Sequence, residues 1–308
     1  MNKPSQSLSS RGSWKTWLHE PVPRSNLQAA TQQAYNGICQ LGSNPSGLVG
    51  LVIVSALILI AIFAPYLATH DILVQDLTTR LLRPSAEHLL GTDELGRDIY
   101  SRTLYGARIT LYITFTTAAI AGPLGLIVGT TAGYLGGWVD AVLMRIVDVF
   151  LAFPSLILAL AFVAAMGPGL QNAVIAISLA AWPPIARLAR AETLMIRKSD
   201  FVAAIRLQGA SSARIIFVHI IPMCLPSMII RVTLNMAGII LTAASLGFLG
   251  LGAQPPSPEW GAMLSSGREF IISNGWIAGV PGGAILISSL GFNLLGDALR
   301  DVMDPKHG

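Results

Sequence analysis

The chain alternates long apolar stretches with short polar ones. Six of the apolar stretches are long enough to cross a bilayer as helices: about Gly47–Ala68, Arg108–Gly133, Val142–Met166, Leu170–Ala191, Pro222–Gly247 and Trp276–Leu295. A helix needs roughly 20 apolar residues to span the hydrocarbon. Backbone groups in lipid must find partners within the protein, which leaves helices or closed barrels. Barrel strands are short and alternate polar with apolar positions, whereas these runs are continuous. The pattern predicts an all-α, polytopic membrane protein with six transmembrane helices. Gly167-Pro168-Gly169 separates the third run from the fourth, a tight hairpin that makes those two helices antiparallel neighbours.

Composition agrees. The 308 residues are 53% apolar and 12% charged, against about 25% charged in soluble domains, and the mean hydropathy is +0.61. Cys39 and Cys224 lie far apart in different contexts, so no disulfide framework follows. The first apolar run begins near Leu48 after a polar segment and has no small-residue cleavage site behind it, so no signal peptide is expected.

The net charge of +4 reflects basic loops rather than nucleic-acid binding. Lys3, Arg11, Lys15 and Arg24 face a single acid, Glu20, in residues 1–45. Arg187, Arg190, Arg197, Lys198, Arg206 and Arg214 outnumber Glu192 and Asp200 in the loop between the fourth and fifth runs. The loops Thr69–Ala107 and Gly252–Gly275 lean acidic. Lys/Arg excess marks the cytosolic side, which predicts cytosolic termini, a cytosolic basic loop and two external loops. Asp297, Asp301 and Asp304 outnumber Arg300 and Lys306 in the tail, but acids count little in this rule.

Chemistry is hard to find. No lysine sits in a GxxxxGK[ST] phosphate loop, so ATP hydrolysis is not expected in this chain. Ala243-Ala244-Ser245-Leu246-Gly247 lacks the first glycine of a nucleophile elbow. His70-Asp71, Glu87-His88 and Asp93-Glu94 read as isolated, solvated pairs on an external loop, so no metal site is expected. Asp148 follows Arg145 by three positions, the spacing of a local helical ion pair. Ala121, Gly125, Gly129 and Gly133 make a small-residue stripe, read as close helix packing. Pro123, Pro154, Pro183 and Pro184 suggest kinks. Arg231 is the one charge deep in a run, roughly 13 Å from Pro222 at helical rise. It either lines a polar pathway or pairs with a polar group such as Asn235 or a partner subunit.

The most distinctive polar segment is FVAAIRLQGASSARIIFVHIIP, Phe201–Pro222, whose small residues Ala203, Ala204, Gly209, Ala210, Ser211 and Ser212 stand at helix-like spacing. Such a surface lets another protein approach closely. This segment, with HLLGTDELGRDIYSRTLYGAR (His88–Arg108), MRIVDVFLAFPSLILAL (Met144–Leu160), SLGFLGLGAQPPSPEWGAML (Ser245–Leu264) and FNLLGDALRDVMDPK (Phe292–Lys306), resembles the transmembrane permease subunits of bacterial ATP-binding-cassette importers. The resemblance is to the second permease of the dipeptide, oligopeptide, glutathione and nickel group. It covers residues 46–308 as a permease domain with a coupling loop at about 192–221, and leaves 1–45 as an unmatched N-terminal segment.

That resemblance implies the type I importer fold. It makes Phe201–Pro222 a coupling helix of the pattern E-A-A-x3-G, with a later I-x-L-P. The glutamate position falls on Ala203, the alanines on Ala204 and Ile205, and the glycine on Gly209. His219, Ile221 and Pro222 fall on the later positions. Ala203 removes a charge and Ile205 adds bulk, so Gly209 carries most of the match, with Ala204, Arg206, Ala210 and Ser211 beside it. The implied partners are a second permease, two cytosolic subunits that bind ATP and magnesium, and an external solute-binding protein. Asp93, Arg97, Asp98 and Trp260 are the residues expected to meet the last of these. No cofactor is expected in this chain, and the setting is the bacterial inner membrane. Peptides lead the implied substrates, followed by glutathione-like and metal-chelate ligands. A stand-alone channel or secondary transporter is the rival class, but it would place paired acids or broken-helix sites at mid-membrane.

Overall fold

A computed structural model describes residues 44–303, and the segment 1–43, with Cys39 and its basic residues, lies outside them, as do 304–308. The described chain is helical apart from loops and one isolated bridge between Thr92 and Asp98. The helices are α1 (Pro45–Leu67), α2 (Ile99–Leu135), α3 (Gly137–Leu151), α4 (Ser155–Met166), α5 (Leu170–Ile196), α6 (Asp200–Leu207), α7 (Ser212–Phe248), α8 (Trp260–Gly267) and α9 (Trp276–Met303).

Five of these, α1, α2, α5, α7 and α9, are long and apolar enough to cross a membrane. The third expected span is not one helix. It breaks into α3 and α4, bent by 91°. Pro154 causes the break, because it has no N–H to donate and forces Phe153 out of the helical region. The twelve residues of α4 rise roughly 18 Å, short of the roughly 30 Å hydrocarbon, so α3 and α4 share one broken crossing. Pro123 and Pro183-Pro184, by contrast, sit within helices that continue through them.

The small-residue stripe does what close packing requires. α2 and α5 run parallel, with Gly125 against Ile185 and Trp182, Gly129 against Ala186 and Ala189, and Gly133 against Thr193. A Cβ on Gly125 would stand 2.7 Å from that of Ile185, and one on Gly133 2.8 Å from that of Thr193. Any side chain there pushes the helices apart.

At one end of the bundle, the Asn44 side chain caps α1 and donates to Asp301 of α9 at 3.1 Å. Both ends of the described chain therefore lie on the same face. Asp148 pairs across helices with Arg187 at 2.6 Å rather than with Arg145, and Asp140 takes a bidentate bond from Arg190 at 2.5 and 2.6 Å. These two bridges tie α3 to α5. The loops after α1 and around α8 close the opposite end as a cap over a core of Ile99, Ala107, Trp260 and Met263.

Candidate functional site

The basic loop folds as a short helix and a turn. Ser199 opens α6 by accepting from the Val202 N–H, a standard N-cap. Gly209 ends it with φ +84°, a left-handed conformation that glycine adopts without steric cost. Ser211 then caps the start of α7. The small residues thus do not share one helix, as their spacing suggests. Ala203 and Ala204 lie on α6, Gly209 and Ala210 form the turn, and Ser211 belongs to the next cap.

The eight residues of α6 have two faces. Val202, Ile205 and Arg206 (i, i+3, i+4) form the attached face. Val202 is buried, and Ile205 packs on the same core as Ile215 and Ile220. The Arg206 guanidinium donates to the Tyr134 hydroxyl at 3.2 Å at the end of α2. Ala203, Ala204 and Leu207 (i, i+1, i+4) form the free face, and all three are exposed. Leu207 is 89% exposed, and it is the residue that the small-residue pattern hides. Its signal in the sequence is its register: at i+4 from Ala203 it falls on the face opposite Val202 and Ile205 once Asp200–Leu207 is read as one helix.

Downstream, residues Ile215–Ile220 form wider i→i+5 turns before α7 settles into α-geometry. Pro222 explains them: it cannot donate to Val218, and its ring crowds that turn. Arg231 lies exposed on α7 with no hydrogen-bond or ion-pair partner among the described residues. Asn235 in the next turn donates to the Ala181 carbonyl at 3.4 Å instead of pairing with it.

At the cap end the structure corrects the expectation for Asp93, Arg97, Asp98 and Trp260. All four are buried, because they frame the cap from inside. Arg97 donates to Asp93 at 2.7 Å, and Asp98 caps α2 through the Ser101 N–H at 2.7 Å. The Trp260 indole donates to the Thr103 carbonyl at 3.0 Å, its ring lying where a side chain on Gly106 would go. Arg102 reaches the carbonyls of Ile72 at 2.9 Å and Pro256 at 3.4 Å, joining both loops.

Glu259 caps α8 with both carboxyl oxygens, accepting from Gly261 and Ala262 at 2.8 Å each. Burial pushes its carboxyl up to about 7, with the two N–H donors pulling the other way. A cavity of about 390 Å³ opens beside it, lined by Glu94, Arg97, Arg102, Gln254, Arg268 and Glu269. Nor are the loop histidines isolated and solvated. His88 is buried against Asp98, and His70 stacks on His88.

A bundle of membrane-crossing helices with a cap at one end and a projecting helix–turn at the other fits a permease, the membrane-spanning subunit of an ATP-binding-cassette importer, and the comparisons with known proteins place the chain there. The chain belongs to the binding-protein-dependent transport system inner membrane component family, whose model matches residues 122–307, and residues 39–84 match the N-terminal transmembrane domain of oligopeptide transport permease C. It is 48% identical to the dipeptide transport system permease protein DppC of Alkalihalophilus pseudofirmus, over 87% of this chain and 88% of that one. It is 44% identical to the probable D,D-dipeptide transport system permease protein DdpC of Escherichia coli K12, over 92% and 96%. The glutathione transport system permease protein GsiD of Pectobacterium atrosepticum is also 44% identical, over 81% and 83%. Among solved structures, the inward-facing MetNI methionine transporter matches with a TM-score of 0.50 at 23% identity, over 63% of this chain and 93% of that one, a likeness of fold.

Proposed function

We propose that this permease moves small peptides inward across the bacterial inner membrane, and that the free face of α6 is where a cytosolic ATPase subunit grips it. In this reading both termini and α6 face the cytosol, and the cap faces outward to receive a solute-binding protein on the loop surface around its polar cavity. A second permease covers the exposed face of α7, which makes Arg231 a pathway residue able to attract a peptide carboxylate. Relatives named for dipeptide transport support the substrate class.

One observation carries the reading. A short helix holds the bundle through Val202, Ile205 and Arg206 while presenting Ala203, Ala204 and a nearly naked Leu207. A lever needs that combination: rigid attachment on one side and an unfilled apolar knob on the other. Displacement of such an element is the kind of two-state motion that couples distant sites.

Leu207→Asp tests this. Burying a leucine contributes about 1.5–3 kcal/mol, so ATPase binding should weaken tenfold or more, and uptake should fall with it. Yield and melting temperature of the permease should stay the same, because the side chain packs on little of its own chain. ATPase binding unchanged by Leu207→Asp would overturn the assignment.

A further inference from the structure

We propose that the cap holds a divalent transition-metal site, of the zinc class, made by His70, His88 and Asp98. The three come from separate segments: the chain just after α1, the middle of the first cap loop, and the N-cap of α2. Each offers one ligand atom, and these atoms lie within 4.8 Å of one another.

Geometry favours a metal over a chance cluster. Donors bound tetrahedrally at about 2.0–2.1 Å stand roughly 3.3 Å apart. The His88 Nδ1 and His70 Nδ1 atoms lie 3.0 and 3.8 Å from the same oxygen, Asp98 Oδ1, on either side of that separation. The imidazole rings stack with centroids 4.5 Å apart and planes 30° from parallel, so both present the same edge to the carboxylate.

The surroundings fix the ligands as a metal site requires. The other Asp98 oxygen is committed to the Ser101 N–H at 2.7 Å, which leaves Oδ1 aimed at the histidines. The Ser101 hydroxyl accepts from the backbone N–H groups of Thr69 and His70, each at 3.1 Å, and locks the chain that carries His70. Asp98 and His88 are 2% and 7% exposed, while the His70 side chain keeps 35%. The site is closed on the protein side and open at one edge, through which an ion can enter and a water can complete the shell.

Two imidazoles and one carboxylate suit zinc, with nickel or copper as chemical competitors, rather than calcium or magnesium. A bound ion would take the place of the His88–Asp98 hydrogen bond, with both Nδ1 and Oδ1 turned to the metal as unprotonated donors. The ion would staple the end of α1 to the start of α2 and stiffen the loop that roofs the cap. This inference does not depend on the peptide reading.

The test uses the whole transporter, purified through a tag without histidines and stripped of metal. Zinc alone is titrated against a chromogenic chelator. Wild type should bind one more zinc per permease than His70→Ala, with half-saturation at least about tenfold lower, and zinc should raise the melting temperature of wild type only. Equal stoichiometry and affinity in the two proteins overturns the site. If His70→Ala fails to fold, X-ray absorption on zinc-loaded wild type decides. Two imidazoles and light oxygen ligands support the site, and an all-oxygen or sulfur-containing shell sinks it.

Discussion

Arg206 on α6 donates to the Tyr134 hydroxyl at 3.2 Å, and its guanidinium carbon lies 5.5 Å from the centre of the same ring. One side chain therefore binds the projecting helix to the C-terminal end of α2, which packs along α5. Val202 anchors the same helix from behind, buried in the core that also holds Tyr134.

Removing the contact should uncouple rather than unfold. The cation–ring interaction is worth about 0.5–1 kcal/mol at an exposed position, and the hydrogen bond adds a similar amount. Arg206→Ala should leave ATPase binding near wild type while raising the ATP hydrolysed per substrate imported severalfold, measured in proteoliposomes. Tyr134→Phe keeps the ring and loses the hydroxyl, so it should fall between. Unchanged coupling in both variants would show that α6 drives the bundle by another route.

Gly209 makes a separate prediction from its backbone. Nothing stands within 4 Å of a Cβ built there, so space does not demand glycine, but φ +84° does. Left-handed geometry costs a side chain about 1–2 kcal/mol, and asparagine tolerates it better than most. Gly209→Asn should retain most ATPase binding, and Gly209→Val should lose most of it. If Val is tolerated as well as Asn, the turn conformation is not what the partner reads.

The α2–α5 seam should respond in the opposite way, through bulk. Gly129 faces the Ala186 carbonyl and the Ala189 side chain. Overpacking of this kind typically costs about 1–3 kcal/mol. Gly129→Leu should lower the melting temperature in detergent, with Gly129→Ala between it and wild type. Gly283, inside α9, has ordinary helical geometry and space for a Cβ with nothing within 4 Å, and serves as a control away from the seam.

Different features of the chain were legible to different depths. The crossings were plain because hydropathy integrates over some twenty positions and tolerates local error. The break at Phe153-Pro154 was visible as a proline, but an average over the run cannot distinguish a kink from a 91° turn. The ends of α6 follow from local signals, Ser199 as cap and Gly209 as stop, and its two faces follow from those ends. The cap was less legible: the resemblance puts Asp93, Arg97 and Asp98 at a partner surface, and Asp93 also reads as half of a solvated pair, whereas all three are buried. Their burial depends on partners brought together by loop closure, and Arg102 reaching Pro256 across 154 positions leaves no periodic trace. The same holds for His70, His88 and Asp98.

Glu259 offers a test of the cap by pH. Its carboxyl is almost wholly buried, and desolvation raises it from the ordinary 4.5 to about 7 even though two backbone N–H groups stabilise the charged form. A carboxyl that holds its proton more tightly in the folded state than in the unfolded one stabilises the fold most where both are protonated. The contribution is complete below about 4.5, declines as pH rises, and is exhausted above about 7. The shift corresponds to roughly 3 kcal/mol at most. The cap should therefore be tighter at pH 5 than at pH 8, read as slower amide exchange in α8 after correction for the intrinsic pH dependence of exchange. Glu259→Gln keeps one acceptor for the helix cap and removes the titration, so its corrected exchange should vary less with pH. Identical pH profiles in the two proteins would mean that the carboxylate is ionised throughout, held by the N–H groups of Gly261 and Ala262 against the cost of burial.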